Sequence, residues 1–445
     1  MNRTAYFRVA VVMTAGLAVA ADAVKAQLGR GAEHEAIAYS KSTPTDPIAR
    51  LQQRIDSGAV TLTFDPTWGY LPAVLKALDV PVSSQGLVFS KTSLQVDRIG
   101  PWAPRALYFN DDVYLGWVQG GPIMEVASID PKLGTVFYSL PQDPEARPRF
   151  VREGSTCLIC HDSASVTGGV PGLIVRSVIP DRHGYALGSL HDGSTTDGTP
   201  INARWGGWYA TGTGPAPHMG NVMAPALSHE VGNMRQYVAS APLKPVGSVA
   251  RLDDRFDTTA YLSGGHSDMV GLLILSHQAR VHNLITIAGY EARIALHEEL
   301  ARTGSADVAA ARDNTRRRVK GSAEPLVRAM LFADEVALAG AIHGSSSFVS
   351  DFEARGPRDA RGRTLRELDL QQRLFTYPLS YLIYSEAFNA LPEIVKSYVY
   401  HRLHEVLSGS DTSVAQLSDT QREAILEILD DTKPDFVTAS TDSGP

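Results

Sequence analysis

Cysteine is nearly absent: the chain of 445 residues contains two, which excludes a scaffold of disulfides. Beyond the first residues, long apolar runs are absent as well. The best later stretch, 269–275, falls far short of the roughly 20 residues that a membrane-spanning helix needs. Dense basic sequence is confined to Arg316, Arg317 and Arg318, which read as the solvated face of a helix. With a net charge of -7, the chain carries no electrostatic footprint for nucleic acid. No repeat of fixed period occurs, so a solenoid or propeller is not expected. A Gly-x-Ser-x-Gly elbow is missing, and the Asp and His residues form no local pattern of a hydrolytic triad.

What is present begins with a possible export address. Arg3 and Arg8 precede a run of small and apolar residues at 9–21, followed by small-residue sites at 18–26. This pattern predicts a cleaved signal peptide over residues 1–26 and a periplasmic or secreted mature protein with no membrane span. Residues 27–150 form a mixed region. Short helical spacing is expected at 48–57, and strands at 60–64, 107–118 and 134–139. Residues 151–265 are rich in loops, with an extended stretch at 173–178. From His266 the apolar spacing turns helical: 267–302, with Gly304 as its stop, and then 306–341, completing a helical region over 266–344. A polar linker at 344–362 leads into a C-terminal helical region, 345–445. Its helices are expected at 365–374, 381–387, 393–407 and 420–429, with a disordered tail after Lys433. The expected class is α+β, a partly stranded first half followed by a helical second half.

Both cysteines fall in one pentapeptide, Cys157-Leu158-Ile159-Cys160-His161. Two thiols three positions apart meet the two vinyl groups of a porphyrin, and the adjacent imidazole reaches the iron. Two cysteines placed at random in a chain of this length, with a histidine following, take this form on the order of once in 10⁴ sequences, so the pattern is specific. A redox-active Cys-x-x-Cys of thioredoxin type is the first alternative. It needs a strand before and a helix after, whereas Gly168-Gly169-Val170-Pro171-Gly172 follows here. Zinc is the second, and it needs a further pair of Cys or His ligands at short spacing, which the sequence lacks. The motif therefore predicts one covalent haem c on Cys157 and Cys160, with His161 as an axial iron ligand.

The motif resembles that of c-type cytochromes. Further segments are similar to large, exported, single-haem cytochrome c-like proteins of bacteria with no assigned activity. They include residues 105–112, 116–121, 169–172, 175–177, 204–209, 218–221, 266–268, 277–278 and 380–384. The resemblance spans most of the mature chain. It implies a haem protein without implying a reaction, and the size of the chain departs from that of small cytochromes c.

The ligand opposite His161 decides the chemistry, since a closed iron favours electron transfer and an open one admits a substrate. Met219 and His277 are the leading candidates for the sixth position, with His218 a third. Met219 follows a loop, and Met223 is an alternative beside it. His277 shares a helical stripe with Val270, Leu273, Ile274, Val281, Leu284 and Ala288, where a backbone carbonyl or a carboxylate is the ordinary partner of a buried histidine. His266-Ser267-Asp268 reads as a helix start with Ser267 or Asp268 as cap. Trp205 and Trp208 around Gly206-Gly207 are candidate pocket walls, and Arg176 and Arg204 candidate partners of the haem carboxylates. Ordinary core packing explains the same tryptophans. Two functions are compatible with these residues: an electron-transfer haem protein with a redox partner, or a haem c oxidoreductase acting on a peroxide, a nitrogen oxide or a small organic substrate. A haem sensor or structural subunit is a third class.

Overall fold

The computed structural model describes residues 31–191, 193–224, 243–304 and 313–441. The expected signal peptide at 1–26 lies outside them. Antiparallel strands build the first half: β1 (Gly86–Val88), β2 (Arg105–Phe109), β3 (Val113–Trp117), β4 (Ile123–Asp130), β5 (Gly134–Pro141) and β6 (Val151–Glu153), in that spatial order. Tight polar turns explain the simple meander. Between β2 and β3, Asn110 Oδ1 accepts from the backbone N–H groups of Asp112 and Val113. Between β4 and β5, Asp130 Oδ1 accepts from those of Lys132 and Leu133, and Gly134 takes a φ of 72°. Before the sheet lie α1 (Pro47–Asp56), capped by Asp46, and α2 (Leu71–Ala77). After it comes a single-turn helix, α3 (Ser155–His161), and then the hairpin β7 (Val178–Pro180) and β8 (Ala186–Ser189).

The second half is helical. Its spine is α4 (Met269–Thr303), 35 residues capped by the Asp268 side chain and ended by Gly304 in the left-handed conformation. Around it lie α5 (Asp313–Met330), α6 (Phe348–Glu353), α7 (Glu386–Asn389), α8 (Glu393–Leu407), α9 (Asp419–Thr432) and α10 (Pro434–Thr441). The α+β expectation holds. Among the described residues no helix is long and apolar enough to cross a membrane.

Several local expectations need correction. Residues 60–64 find no partner strand, and 107–118 is a hairpin rather than one extended run. Only Val178 of 173–178 enters a strand, and β4 escaped the sequence reading. Of the helix expected over 306–341, residues 305–312 lie outside the described residues; the helix ends at Met330, and Phe332 has a φ of 53°. The linker expected at 344–362 contains α6. Residues 365–374 are not helical, because Leu370 has a φ of 56° and Leu368 bridges to Phe375. Residues 434–441 are helical, since buried Phe436 packs edge-on against Tyr400 and the Tyr400 hydroxyl bonds Asp435.

The sheet separates two cores, and its alternation shows how. On β2 and β4 the residues Ala106, Tyr108, Met124 and Val126 face the N-terminal core and are fully buried. The opposite face turns toward α4, and its residues Arg105, Leu107, Ile123, Glu125 and Ala127 are only half-buried. Cross-strand pairing keeps that face in register: Leu107 stands opposite Gly116, Gly116 opposite Glu125 and Ala127 opposite Phe137. This incompletely covered face lies beside α3.

Candidate functional site

Gly154 introduces α3, which places Cys157 half-buried and Cys160 exposed as free thiols. Ile159 between them is 55% exposed. His161 ends the helix and packs on Phe137 of the half-covered sheet face, with ring centroids 4.6 Å apart.

His161 is held at both its backbone and its ring. Its carbonyl accepts from Gly172 N, and its Nδ1 donates to Gly172 O at 2.8 Å. A carbonyl only accepts, so Nδ1 carries the proton and the neutral ring keeps its lone pair on Nε2. Burial lowers the proton affinity of His161, and the Gly172 bond offsets part of that. The segment carrying Gly172 is itself clamped. The Asn283 side chain of α4 accepts from Leu173 N and donates to Leu173 O, both at 2.8 Å, and Pro171 O accepts from Thr135 N of β5. Gly172 has no room for a side chain, since a Cβ would sit 2.5 Å from Asn283 Oδ1. Sheet and long helix thus fix the imidazole in one tautomer with Nε2 free, the state a metal ligand requires.

A buried ion pair adjoins this site. Arg105 donates to Glu125 Oε2 at 2.8 Å, and Ser93 and Gln95 both donate to Oε1. Arg105 Nε is buried without a partner. Charge on Arg105 lowers the proton affinity of His161, and charge on Glu125 raises it. Burial, reinforced by Glu153 and Glu125, pushes the Cys157 thiol up to about 12. Sequence reasoning passed over Arg105 and Glu125. Both stand in or next to segments it noted, but only the strand register joins them.

The other expected residues lie elsewhere. His218 and Met269 line one small enclosed cavity, with about 10 Å³ of room for a water's centre. Met269 precedes Asn283 by 14 residues on α4, about 21 Å along the axis, and Asn283 marks the His161 end. Met219, adjacent in the chain and buried, shares the His218 end. Neither lies at the His161 end of α4. His218 leaves both ring nitrogens buried and unpartnered, and Trp205 Nε1 in the same cavity is likewise unpartnered. Met223 is half-buried and packs on the N-terminal core.

His277 is also unavailable. Its Nδ1 bonds Asp197 Oδ2 at 3.0 Å and its Nε2 lies 2.8 Å from Ser380 Oγ, while its face stacks on Phe332 at 4.2 Å. Asp197, His277 and Ser380 have the connectivity of a Ser–His–Asp relay, assembled from distant segments that no local motif reveals. All three are buried, and none lines either of the two cavities described. They form a structural polar network inside the helical half.

Of the pocket residues, Arg204 is buried, with its guanidinium donating to the carbonyls of Asp197 and Thr199. Arg176 reaches Ser189 on the surface. Trp208 donates to Arg176 O and lies over β1, with a ring atom 3.6 Å from where a Gly86 Cβ would stand. Because Gly86 pairs with Leu107, Trp208 is on the His161 side of the sheet, whereas Trp205 belongs to the His218 cavity. A larger open cavity of about 630 Å³, lined by Ser83, His266, Asp351 and Arg355 among others, sits at the N-terminal end of α4, remote from the cysteines. Among the described residues no group of three or more His, Cys, Asp or Glu side chains converges to hold a metal ion.

No family model matches the chain, and no significant match was found among curated proteins or solved structures.

Proposed function

We propose that this protein is an exported c-type cytochrome-like protein carrying one covalent haem, bound through Cys157 and Cys160 and ligated by His161 Nε2. The observation that carries the reading is the His161–Gly172 bond. It leaves the lone pair of a neutral imidazole on Nε2, next to two free thiols and a half-covered sheet face. A bound haem supplies one-electron exchange at iron. This chain's part is to orient His161 through Gly172 and Asn283, and to offer the half-buried apolar surface of Leu107 and Ala127 to the ring. Among the described residues no fourth donor converges with Cys157, Cys160 and His161, which argues against zinc there. A thiol pushed upward at Cys157 argues against a thioredoxin-like redox pair, which works through a depressed one.

Electron transfer to a partner protein is the first role. Placement of Met219, His218 and His277 away from His161 favours a second one, an oxidoreductase whose sixth iron position is open to a small substrate. Expression with a cytochrome c maturation system tests both. The wild type is expected to keep a haem-stained band on a denaturing gel, and Cys157→Ala/Cys160→Ala to lose it; a stained double variant defeats the proposal. Carbon monoxide added to the reduced protein then separates the roles: a shifted spectrum marks an open iron, an unmoved one a closed iron.

A further inference from the structure

We propose that Arg105 is the counter-charge for the carboxylates of the bound haem, and that the Arg105–Glu125 pair sets the reduction potential. This rests on the covalent-haem reading above.

The argument begins with the register. His161 packs on Phe137, which stands opposite Ala127 on β4. Glu125 is two residues along β4 on the same face, a diagonal neighbour of Phe137 at roughly 7–8 Å by strand geometry. Glu125 stands opposite Gly116, and Gly116 opposite Leu107, so Arg105 projects from the same face one repeat further. A group attached at Cys157 and Cys160 and bonded to His161 would lie beside this face, where the half-buried charges are Arg105 and Glu125 and, opposite Phe137, Glu153, so that Arg105 is the one cation among them on β2, β4 and β6.

The hydrogen bonds within the pair are unequal. Glu125 receives three donors: Arg105 Nη1, Ser93 Oγ and Gln95 Nε2. Arg105 spends one donor on Glu125 and leaves Nε buried with no acceptor. A guanidinium has five donors in a fork that matches a carboxylate. Leaving one buried carries a desolvation cost, which an incoming carboxylate recovers. Glu125 keeps Ser93 and Gln95 when Arg105 turns toward the haem. Other nearby arginines are engaged: Arg152 bonds the carbonyls of Tyr39 and Ser42, Arg204 those of Asp197 and Thr199, and Arg176 the Ser189 hydroxyl. Gly116, with no side chain, keeps the strip between Arg105 and Glu125 flat.

Positive charge near the iron favours the reduced state and negative charge the oxidised state. Because the haem is held by two thioether bonds, substitutions at Arg105 or Glu125 leave it attached, and the potential is measurable in every variant that folds. Spectroelectrochemical titration at constant pH is expected to place Arg105→Gln below the wild type and Glu125→Gln above it. Each shift amounts to about a tenfold change in the oxidised-to-reduced ratio at fixed potential, 59 mV for one electron. Arg105→Lys keeps the charge and is expected to recover most of the shift, which a merely structural role would not produce. If Arg105→Gln proves unstable, the Arg105→Lys and Glu125→Gln titrations carry the test. Haem retained with an unmoved potential, or shifts of the same sign in Arg105→Gln and Glu125→Gln, overturns this inference alone. A wild-type chain without covalent haem overturns the proposed function and this inference together.

Discussion

His161 owes its orientation to residues outside its own helix. Asn283 satisfies both backbone groups of Leu173, and Gly172 then presents its carbonyl to Nδ1. Asn283→Leu removes both partners and leaves a buried N–H and C=O unpaired. The expected loss is about 2–4 kcal/mol, read as a lower urea midpoint with an unchanged slope. In the haem-loaded protein, the same variant is expected to loosen the axial imidazole and broaden its resonances. Retention of wild-type stability would mean that water replaces the amide and that the clamp does not position His161.

At the scale of elements, α4 joins the two halves. Its N-terminus is fixed by one carboxylate: Asp268 Oδ1 caps Val270 N, while Oδ2 accepts from Ser345 N, Ser346 N and Ser346 Oγ. Asp268→Ala releases the helix start and the 344–347 loop together. A loss of about 2–4 kcal/mol is expected from a cap plus unpaired buried donors. Asp268→Asn retains one acceptor oxygen and is expected to fall between the two. Equal stability of the Ala and Asn variants would show that the cap alone matters. Because α4 runs for 35 residues, the same helix keeps His218 and Met219 from His161.

For the whole molecule, buried neutral histidines set the response to acid. Burial pushes His218 and His282 down to about 4 from an ordinary value of 6.5. Between those values the unfolded chain binds more protons than the folded one, so stability rises with pH there. It is complete above about pH 6.5 and is lost progressively as pH falls toward 4. Each ring contributes up to about 1.4 kcal/mol per pH unit in that window. Thermal unfolding from pH 7 to pH 4 is expected to show a falling Tm, with a shallower slope in His282→Gln. An identical slope in the variant would place the proton uptake elsewhere. The same trend continues at lower pH through Asp197, whose carboxyl is held below its ordinary value; there burial raises the affinity, and His277 and Arg204 more than offset it. Its contribution is present above the unfolded value and is lost only as pH falls below it.

The sequence by itself determined what is local. Five consecutive residues define Cys157, Cys160 and His161 as a candidate haem attachment, because that chemistry needs thiols and imidazole at fixed short spacing. Helical periodicity with Asp268 before it and Gly304 after it defines α4, because caps and repeat act within a few residues. The α+β division follows from the same local patterns. Tertiary structure decided what depends on register and length. Arg105 and Glu125 stand 20 positions apart and meet only because β2, β3 and β4 pair at one register. His277 was a candidate for iron with a backbone carbonyl or a carboxylate as its ordinary partner, and only the fold brings Asp197, 80 positions away, to its Nδ1. Met219 looked suited to the sixth position until α4 set about 21 Å between its end of the molecule and that of His161. Side-chain chemistry names the groups able to react. Which of them share a site is fixed by backbone pairing and helix length, and these are properties of the folded chain as a whole.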